Sequence, residues 1–242
     1  MKGVALLIDG ITVQFGAFRA INDLSLAIDY GEVRAVIGPN GAGKTTLLDV
    51  ISGITRPETG RVLFDGAQDI TRLPESAIAR TGIRRKFQKP SVFEALTVRQ
   101  HIEIGAETSF RRQFDRPALA ERVDEILETV GLASHATRLA GELAHGQKQW
   151  LEIGMVLASE PKVLMLDEPV AGLTDEETER TAALVRALKR PDRAIIVVEH
   201  DMDFVELIAD RVTVLHEGRT LFEGSMDKVR ADQSVVEVYL GR

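Results

Sequence analysis

A glycine-rich loop between an apolar segment and a helical one constrains this chain more than any other feature of its sequence. The loop follows the apolar run 32–37, and residues 44–51 have the pattern of a helix. Its residues are Gly38, Pro39, Asn40, Gly41, Ala42, Gly43, Lys44, Thr45 and Thr46. Glycines let backbone N–H groups converge on phosphate oxygens, and the helix N-terminus adds its positive dipole end. This context predicts a phosphate-binding loop, and a chance glycine turn is the alternative.

A second motif supplies the polar groups that such a loop works with. Val163–Leu166 has the pattern of a buried strand and delivers Asp167 and Glu168 at its end. In a phosphoryl-transfer site, a lysine such as Lys44 faces the β- and γ-phosphates, and Thr45 and Asp167 are the expected magnesium ligands. Glu168 is placed to polarise an attacking water. Adjacent carboxylates at a strand end are otherwise common as a solvated cap, and the phosphate loop favours the catalytic interpretation.

Four isolated residues have no motif of their own. Gln88 precedes Lys89-Pro90, His200 follows the apolar run 194–198, and Phe15 and Phe18 lie near the N-terminus. Taken one at a time, each is typical of a structural residue, because Gln and His satisfy hydrogen bonds throughout proteins and aromatic rings usually pack.

The N-terminal region has the pattern of short strands. They are predicted at Val4–Ile8, Ile11–Phe15 and Leu24–Ile28. Asp9-Gly10 is the expected turn between the first two strands.

The rest of the chain predicts a parallel α/β core that is interrupted by a helical insert. The core comprises residues 1–90 and 159–242, and the insert comprises 91–158. Within the insert, Thr97–Gln100 fits a capping box that opens a helix, and residues 105–117 are predicted to form a loop.

The bulk composition limits the classes of protein to which the chain can belong. The chain has 242 residues, a formal charge of −7 and a pI near 5.4, which disfavours a dedicated nucleic-acid binder. It has no cysteine, so disulfides and thiolate metal sites are excluded. No apolar run approaches the ~20 residues that span a bilayer, and Asp9 comes too early for a signal peptide. We therefore expect a cytoplasmic protein that contacts a membrane only through a partner.

The order of these features resembles that of the ABC-type ATPases. The phosphate loop, Gln88, the segment 143–147, Asp167 with Glu168, and His200 follow one another as in that family. The resemblance covers essentially the whole chain. It implies a P-loop NTPase core with an N-terminal antiparallel β subdomain and an inserted helical subdomain that carries the signature motif.

The same resemblance implies a role for three of the four isolated residues. Phe15 would stack on the adenine, Gln88 would sense the γ-phosphate and magnesium, and His200 would hold the γ-phosphate and the attacking water. The signature segment would reach the nucleotide of a partner ATPase across a dimer, and the loop 171–174 would contact that partner. The signature residues are Leu143, Ala144, His145, Gly146 and Gln147.

Several longer segments of the sequence indicate which branch of the ABC-type ATPases the chain resembles most. Residues 85–88, 145–155 and 167–177 look like the ATPases of branched-chain amino-acid-type importers. Residues 212–218 and the ending 235–241 look most like the urea and short-amide branch, although no residue of this subunit would touch the solute.

Two positions depart from the family pattern. Ala144 stands where a serine usually helps hold the partner's γ-phosphate, and Thr174 stands where many relatives have Asp or Asn. The missing hydroxyl at Ala144 puts full hydrolytic competence in doubt at one of the two sites of a dimer.

The resemblance implies a motor for the import of a small polar solute, namely urea, a short amide or a branched-chain amino acid, that uses ATP and Mg²⁺ on the inner face of the cell membrane. Its partners would be membrane-spanning permease subunits, a second ATP-binding subunit in a homo- or heterodimer and, indirectly, a periplasmic solute-binding protein. The coupling contact would involve Val92, Phe93 and Leu96, which are otherwise local core residues. The alternatives are the ATPase of a lipid or lipopolysaccharide exporter and a non-transport ABC ATPase acting on ribosomes or DNA.

Overall fold

In the computed structural model, which describes residues 3–86, 92–110 and 116–240, an antiparallel sheet forms the N-terminal region. Its strands are β1 (Val4–Phe15), β2 (Phe18–Asp29), β4 (Thr59–Phe64) and β5 (Gln68–Asp69), in the order β2-β1-β4-β5. The expected turn at Asp9-Gly10 is wrong, because β1 continues through these residues. The pairing with β2 shifts register between Ile8 and Ile11, and Gly10 takes a φ of 59°. Asp9 and Gly10 therefore form an irregularity within one continuous strand.

A six-stranded sheet forms the centre of the core. Its strands are β3 (Val33–Ile37), β6 (Ile83–Lys86), β7 (Val163–Asp167), β8 (Ala194–Val198), β9 (Arg211–His216) and β10 (Arg219–Gly224). The order is β10-β9-β3-β8-β7-β6, with β10 antiparallel to β9 and the other neighbours parallel. The strands β3, β7 and β8 are buried throughout, as expected of parallel strands covered on both faces.

Side chains of the central strands alternate between two hydrophobic clusters. Leu164 and Leu166 of β7 belong to one cluster, and Val163 and Met165 belong to the other. The first cluster is shared with the helical insert, and the second with the antiparallel sheet. The helices of the core are α1 (Lys44–Ser52), α2 (Glu75–Thr81), α6 (Asp175–Ala187), α7 (Met202–Ile208), α8 (Met226–Ala231) and α9 (Gln233–Leu240).

Three helices make up most of the insert: α3 (Val98–Phe110), α4 (Arg116–Thr129) and α5 (His145–Ala158). The predicted capping box of α3 is confirmed, since Thr97 N donates to Gln100 Oε1 at 2.8 Å and Gln100 N to Thr97 Oγ1 at 3.2 Å. The predicted loop at 105–117 is wrong over its first residues, because α3 continues to Phe110. Gly105 permits this packing, since a Cβ there would lie 2.3 Å from the carbonyl oxygen of Met155 in α5.

No helix in the three described ranges is both long enough and apolar enough to cross a membrane.

Candidate functional site

The predicted phosphate loop connects β3 to α1 at the carboxyl edge of the parallel sheet. Its path requires glycine at two points where the backbone runs close to neighbouring chain segments. A Cβ on Gly38 would lie 2.2 Å from the carbonyl oxygen of Leu215, and one on Gly43 would lie 2.5 Å from that of Ala20. Gly43 also has a φ of 99° as the residue that caps α1. The loop is therefore held by contacts that any side chain at these positions would break.

Lys44 is the first residue of α1, and its side chain folds back over the loop. Its Nζ donates to the carbonyl oxygens of Gly38 at 2.7 Å and Pro39 at 3.0 Å. Burial lowers the pKa of Lys44, and the carboxylates of Glu168 and Asp167 act in the opposite direction. No acidic residue lies in the first turn of α1, so its dipole end is left available to an anion.

A cleft of about 160 Å³ opens beside the loop and brings several predicted site residues together. Thr45, Thr46 and Glu168 lie on its wall with Lys44. The full lining is Phe18, Ala20, Asn40, Gly41, Gly43, Lys44, Thr45, Thr46 and Glu168. Hydroxyls, a cation and a carboxylate therefore face one space that is large enough for phosphate groups.

Asp167 and Glu168 follow β7, as predicted, but their surroundings differ. Asp167 is buried, and its Oδ2 lies 2.6 Å from Nη2 of Arg85. Arg85 also reaches Asp49 of α1, with Nη1 at 2.5 Å from Oδ1. Glu168 is half-buried and takes a φ of 45°, in the left-handed region. Sequence reasoning did not assign Arg85 a role, because a single arginine does not reveal two carboxylate partners that are distant in sequence.

His200 follows β8, as predicted, and is exposed. Its partner is the preceding residue, Glu199, which is fully buried. Glu199 accepts backbone hydrogen bonds from Val170 at 3.2 Å, His200 at 2.9 Å and Asp201 at 3.4 Å. Burial raises the pKa of Glu199, and these three donors act against the shift. Glu199 therefore fixes both the loop after Glu168 and the start of the segment that carries His200. Gln88 lies outside the described residues.

The signature segment packs against the loop 171–174 of the same chain. His145 Nε2 lies 3.2 Å from the carbonyl oxygen of Ala171, and a Cβ on Gly146 would lie 2.4 Å from Oε1 of Glu177 in α6. Leu143 is buried, whereas Ala144 is exposed and caps α5. The Ala144 N–H donates to Gln147 Oε1 at 3.1 Å. The segment does not line the cleft beside Lys44, so the structure leaves it apart from the phosphate loop of its own chain.

Two aromatic rings stand at the hairpin between β1 and β2. Phe15 and Phe18 are paired across the turn and are 53% and 59% exposed. Phe18 lines the cleft beside Lys44 and a second cleft of about 380 Å³ that contains Asn40 and His216. Phe15 is not among the residues that line either cleft. The ring beside the phosphate loop is therefore Phe18, to which the sequence assigned no role, whereas the predicted adenine contact Phe15 is an exposed ring on the same hairpin.

Comparisons with known proteins agree with this arrangement. Residues 21–171 match the family model described as ABC transporter. The chain is 36% identical to the high-affinity branched-chain amino acid transport ATP-binding protein BraF of Pseudomonas aeruginosa, with 100% of this chain and 99% of BraF covered. It is 34% identical to LivG of Escherichia coli, which carries the same description, again with 100% and 99% covered.

The fold is similar to that of a solved ATP-binding cassette over nearly the whole chain. A crystal structure of the ADP conformation of an ATP-binding cassette from an ABC transporter superposes with a TM-score of 0.88 at 31% identity, covering 99% of each chain. The predicted fold class, a P-loop NTPase core with an antiparallel β sheet and helical parts, is therefore confirmed. With a phosphate loop, a carboxylate pair and full-length relatives of this kind, the chain belongs to the ABC transporter family as an ATP-binding, ATP-hydrolysing subunit.

Proposed function

We propose that this subunit powers an importer of small polar solutes, and that the solute is urea or a short amide. The observation that carries import is the full-length similarity to BraF and LivG, both described as branched-chain amino acid transport ATP-binding proteins. The resemblance of residues 212–218 and 235–241 to the urea and short-amide branch supports the narrower solute class. Branched-chain amino acids are the competing class.

ATP occupies the clefts around the phosphate loop in this proposal. Backbone N–H groups of the loop and the N-terminus of α1 bind the phosphates, and Lys44 moves from the loop carbonyls to the β- and γ-phosphates. The adenine lies against the exposed rings of Phe15 and Phe18. Glu168 accepts a proton from the attacking water, and His200 holds that water with the γ-phosphate.

The residues present fit a magnesium ion, which prefers oxygen ligands and few protein carboxylates. Thr45 offers a hydroxyl on the wall of the cleft, and Asp167 offers a carboxylate oriented by Arg85. Gln88, which lies outside the described residues, is the third proposed ligand. When bound, the ion neutralises charge on the β- and γ-phosphates.

Two ATPases clamp two nucleotides at their interface in this proposal. The signature segment of each chain, with Leu143 to Gln147, serves the nucleotide of the other. The exposure of Ala144 and His145 supports this role, because the segment lies away from its own loop and is open to a partner. We expect the second ATPase to be a related but different chain, since importers of this type commonly carry two.

The helical insert, residues 91–158, is the proposed moving unit between the two parts of the core, 1–90 and 159–242. Its contact with the permease subunits is proposed at Val92, Phe93 and Leu96. Phe93 is 58% exposed, and its backbone N–H donates to Nε2 of the buried His101 at 2.9 Å. A fixed backbone with an exposed ring suits a docking surface for a membrane subunit.

Purification of the tagged chain from native membranes tests the proposal. We expect permease subunits and a second ATPase of similar size to co-purify, and their reconstituted complex with its solute-binding protein to take up radiolabelled urea on addition of Mg-ATP. Complex made with Glu168→Gln is the control and should not transport. Uptake of leucine but not urea would contradict the solute class, and recovery with ribosomes or DNA, or without membrane subunits, would contradict transport.

A further inference from the structure

Strand β6 ends, within the described chain, in two cations that point in opposite directions. Neighbouring residues of a strand face opposite sides of its sheet. Arg85 reaches Asp49 of α1 and Asp167 after β7, on the side of the nucleotide site. Lys86 faces Glu152 of α5, with Nζ 3.9 Å from Oε2. The end of β6 therefore contacts both the helix that begins at Lys44 and the helix that begins at the signature segment.

The Lys86–Glu152 pair is buried far more deeply than an ordinary surface ion pair. The side chains are 1% and 10% exposed, and within the described ranges the Lys86 ammonium has no hydrogen-bond partner. Burial lowers the pKa of Lys86, whereas the carboxylates of Glu152, Asp167, Glu199 and Glu168 act in the opposite direction. The pair is thus held by charge at a buried contact, and the carboxylates of the nucleotide site, Asp167 and Glu168, also attract the Lys86 ammonium.

A gain in folding stability does not readily account for a buried ion pair of this kind. Replacing a buried ion pair by apolar side chains of similar volume is often neutral or stabilising, because desolvation offsets the attraction. Its position suggests a different use. Lys86 lies two residues before Gln88, and Glu152 lies about two helical turns from His145 on the same helix.

A bound nucleotide would change the charge on the nucleotide-site side of Lys86 but not the charge of Glu152 on its other side. Phosphates bound at the loop alter the charge that Lys86 faces from Asp167 and Glu168, while Glu152 stays fixed to α5. Bound phosphates would add an attraction on the Lys86 ammonium that competes with the attraction from Glu152. Ala144 and His145 lie at the N-terminus of the same continuous helix as Glu152, so a displacement of α5 at Glu152 would also shift them.

We propose that the Lys86–Glu152 pair transmits nucleotide binding to α5, so that Lys86 is a positioning residue for the signature segment. The proposal rests on the proposed role of that segment in the dimer. It assigns the link to a side-chain contact between β6 and α5 rather than to the backbone alone.

The single tryptophan of the chain provides a direct readout, because Trp150 lies on α5 two residues before Glu152. Its indole N–H donates to Thr181 Oγ1 of α6 at 2.9 Å, and Arg180 lies over its ring at 4.1 Å. A displacement of α5 against α6 must therefore alter the emission of Trp150. Nucleotide affinity is measured separately by calorimetry with Mg²⁺ and a non-hydrolysable ATP analogue.

The test variant is Lys86→Met/Glu152→Met, in which both charges are replaced together so that the fold is retained. We expect nucleotide affinity within about threefold of the wild type, and loss of most of the change in Trp150 emission on nucleotide binding. The control is Arg99→Gln/Asp124→Asn, which removes an ion pair between α3 and α4 without touching β6. That variant should keep the full response.

The outcomes separate this inference from the proposed function. A full Trp150 response in the Lys86/Glu152 variant would overturn the inference, and so would a wild-type protein that binds nucleotide without any change in emission. Failure of the wild type to bind the nucleotide would instead contradict the function itself. In the assembled transporter, we expect the variant to lower kcat while KM for ATP stays nearly constant, which a general loss of structure would not produce.

Discussion

The guanidinium of Arg85 joins Asp167, after strand β7, to Asp49 of helix α1, with 2.6 Å between Arg85 Nη2 and Asp167 Oδ2. Both side chains of the Arg85–Asp167 pair are 4% exposed. A removed partner would leave a buried charge without compensation. We therefore predict that Arg85→Leu lowers the free energy of unfolding by about 3–5 kcal/mol. Urea denaturation measures this change.

In the control, Arg61→Leu removes an exposed pair with Asp9, which should cost less than about 1 kcal/mol. Equal losses in both variants would show that burial of the Arg85 pair has no special effect.

Lys44 is predicted to be needed for nucleotide binding. Lys44→Ala removes the cation that is proposed to face the β- and γ-phosphates, and a hydrogen bond to a charged group contributes about 1.5–3 kcal/mol. Affinity for Mg-ATP should fall by about 10- to 150-fold or more, as measured by calorimetry. Lys228→Ala, which changes an exposed lysine of α8, should bind normally. Binding by Lys44→Ala within about threefold of wild type would contradict the assignment of the phosphate loop.

Glu168 is predicted to act as the general base. Glu168→Gln keeps the shape of the side chain but cannot accept the proton, so hydrolysis should fall by ~10²–10⁴-fold while ATP binding persists. Phosphate release and size-exclusion chromatography with Mg-ATP measure the two effects, and ATP-bound dimers should accumulate. Glu179→Gln, on the exposed face of α6, should hydrolyse ATP at the wild-type rate. Normal turnover in Glu168→Gln would assign the proton to another group.

Glu199 is predicted to give stability a pH dependence. Its folded pKa is raised by burial, so between the ordinary carboxyl pKa and the raised one the folded state binds more protons than the unfolded state. The free energy of unfolding therefore falls as pH rises through that window. Glu199→Gln removes the titration and should gain stability relative to wild type as pH increases. Denaturation at a series of pH values measures the difference, and a constant difference would show that the pKa is not raised.

Ala144 is predicted to limit turnover in the assembled transporter. Ala144→Ser introduces a hydroxyl at the position that is proposed to reach the partner's γ-phosphate, and a hydrogen bond of about 1.5–3 kcal/mol corresponds to a ~10- to 150-fold effect if clamping or chemistry is limiting. We expect a higher ATPase rate with little change in nucleotide affinity.

The structure supplies a control for this substitution, because Ala144 is also the N-cap of α5. A serine there would cap the helix in addition to reaching a phosphate, and glycine at an N-cap is better than alanine without adding a hydroxyl. A higher ATPase rate with Ala144→Ser but not with Ala144→Gly would assign the effect to a contact with the partner's γ-phosphate. Equal gains would assign it to capping, and no gain would indicate that a water already fills the gap.

The fold and much of the site could be predicted where local chemistry determines the structure. The glycine loop, the strand before Asp167 and the capping box at Thr97 each depend on residues close in sequence. The irregularity at Gly10 and the extension of α3 past Gly105 could not, because each depends on a backbone from a distant part of the chain.

The same limit applies to three residues around the site. Arg85 gains its role from Asp49 and Asp167, Lys86 from Glu152, and Glu199 from the backbone of Val170. Each is charged and buried, which composition and periodicity do not predict. Buried charges require partners, and the partners are brought together only by the tertiary fold.

The left-handed backbone at Glu168 lowers stability at a position whose carboxylate is the proposed general base. A residue with a side chain costs roughly 1 kcal/mol in the left-handed region, where Glu168 has a φ of 45°, and glycine avoids that cost. Glu168→Gly is therefore expected to relieve this backbone cost and, because Glu168 is the proposed general base, to lose ATP hydrolysis. In a lineage where one of two paired sites became dispensable, this position would be among the first to drift, and a glycine here would mark a subunit retained for binding rather than for hydrolysis.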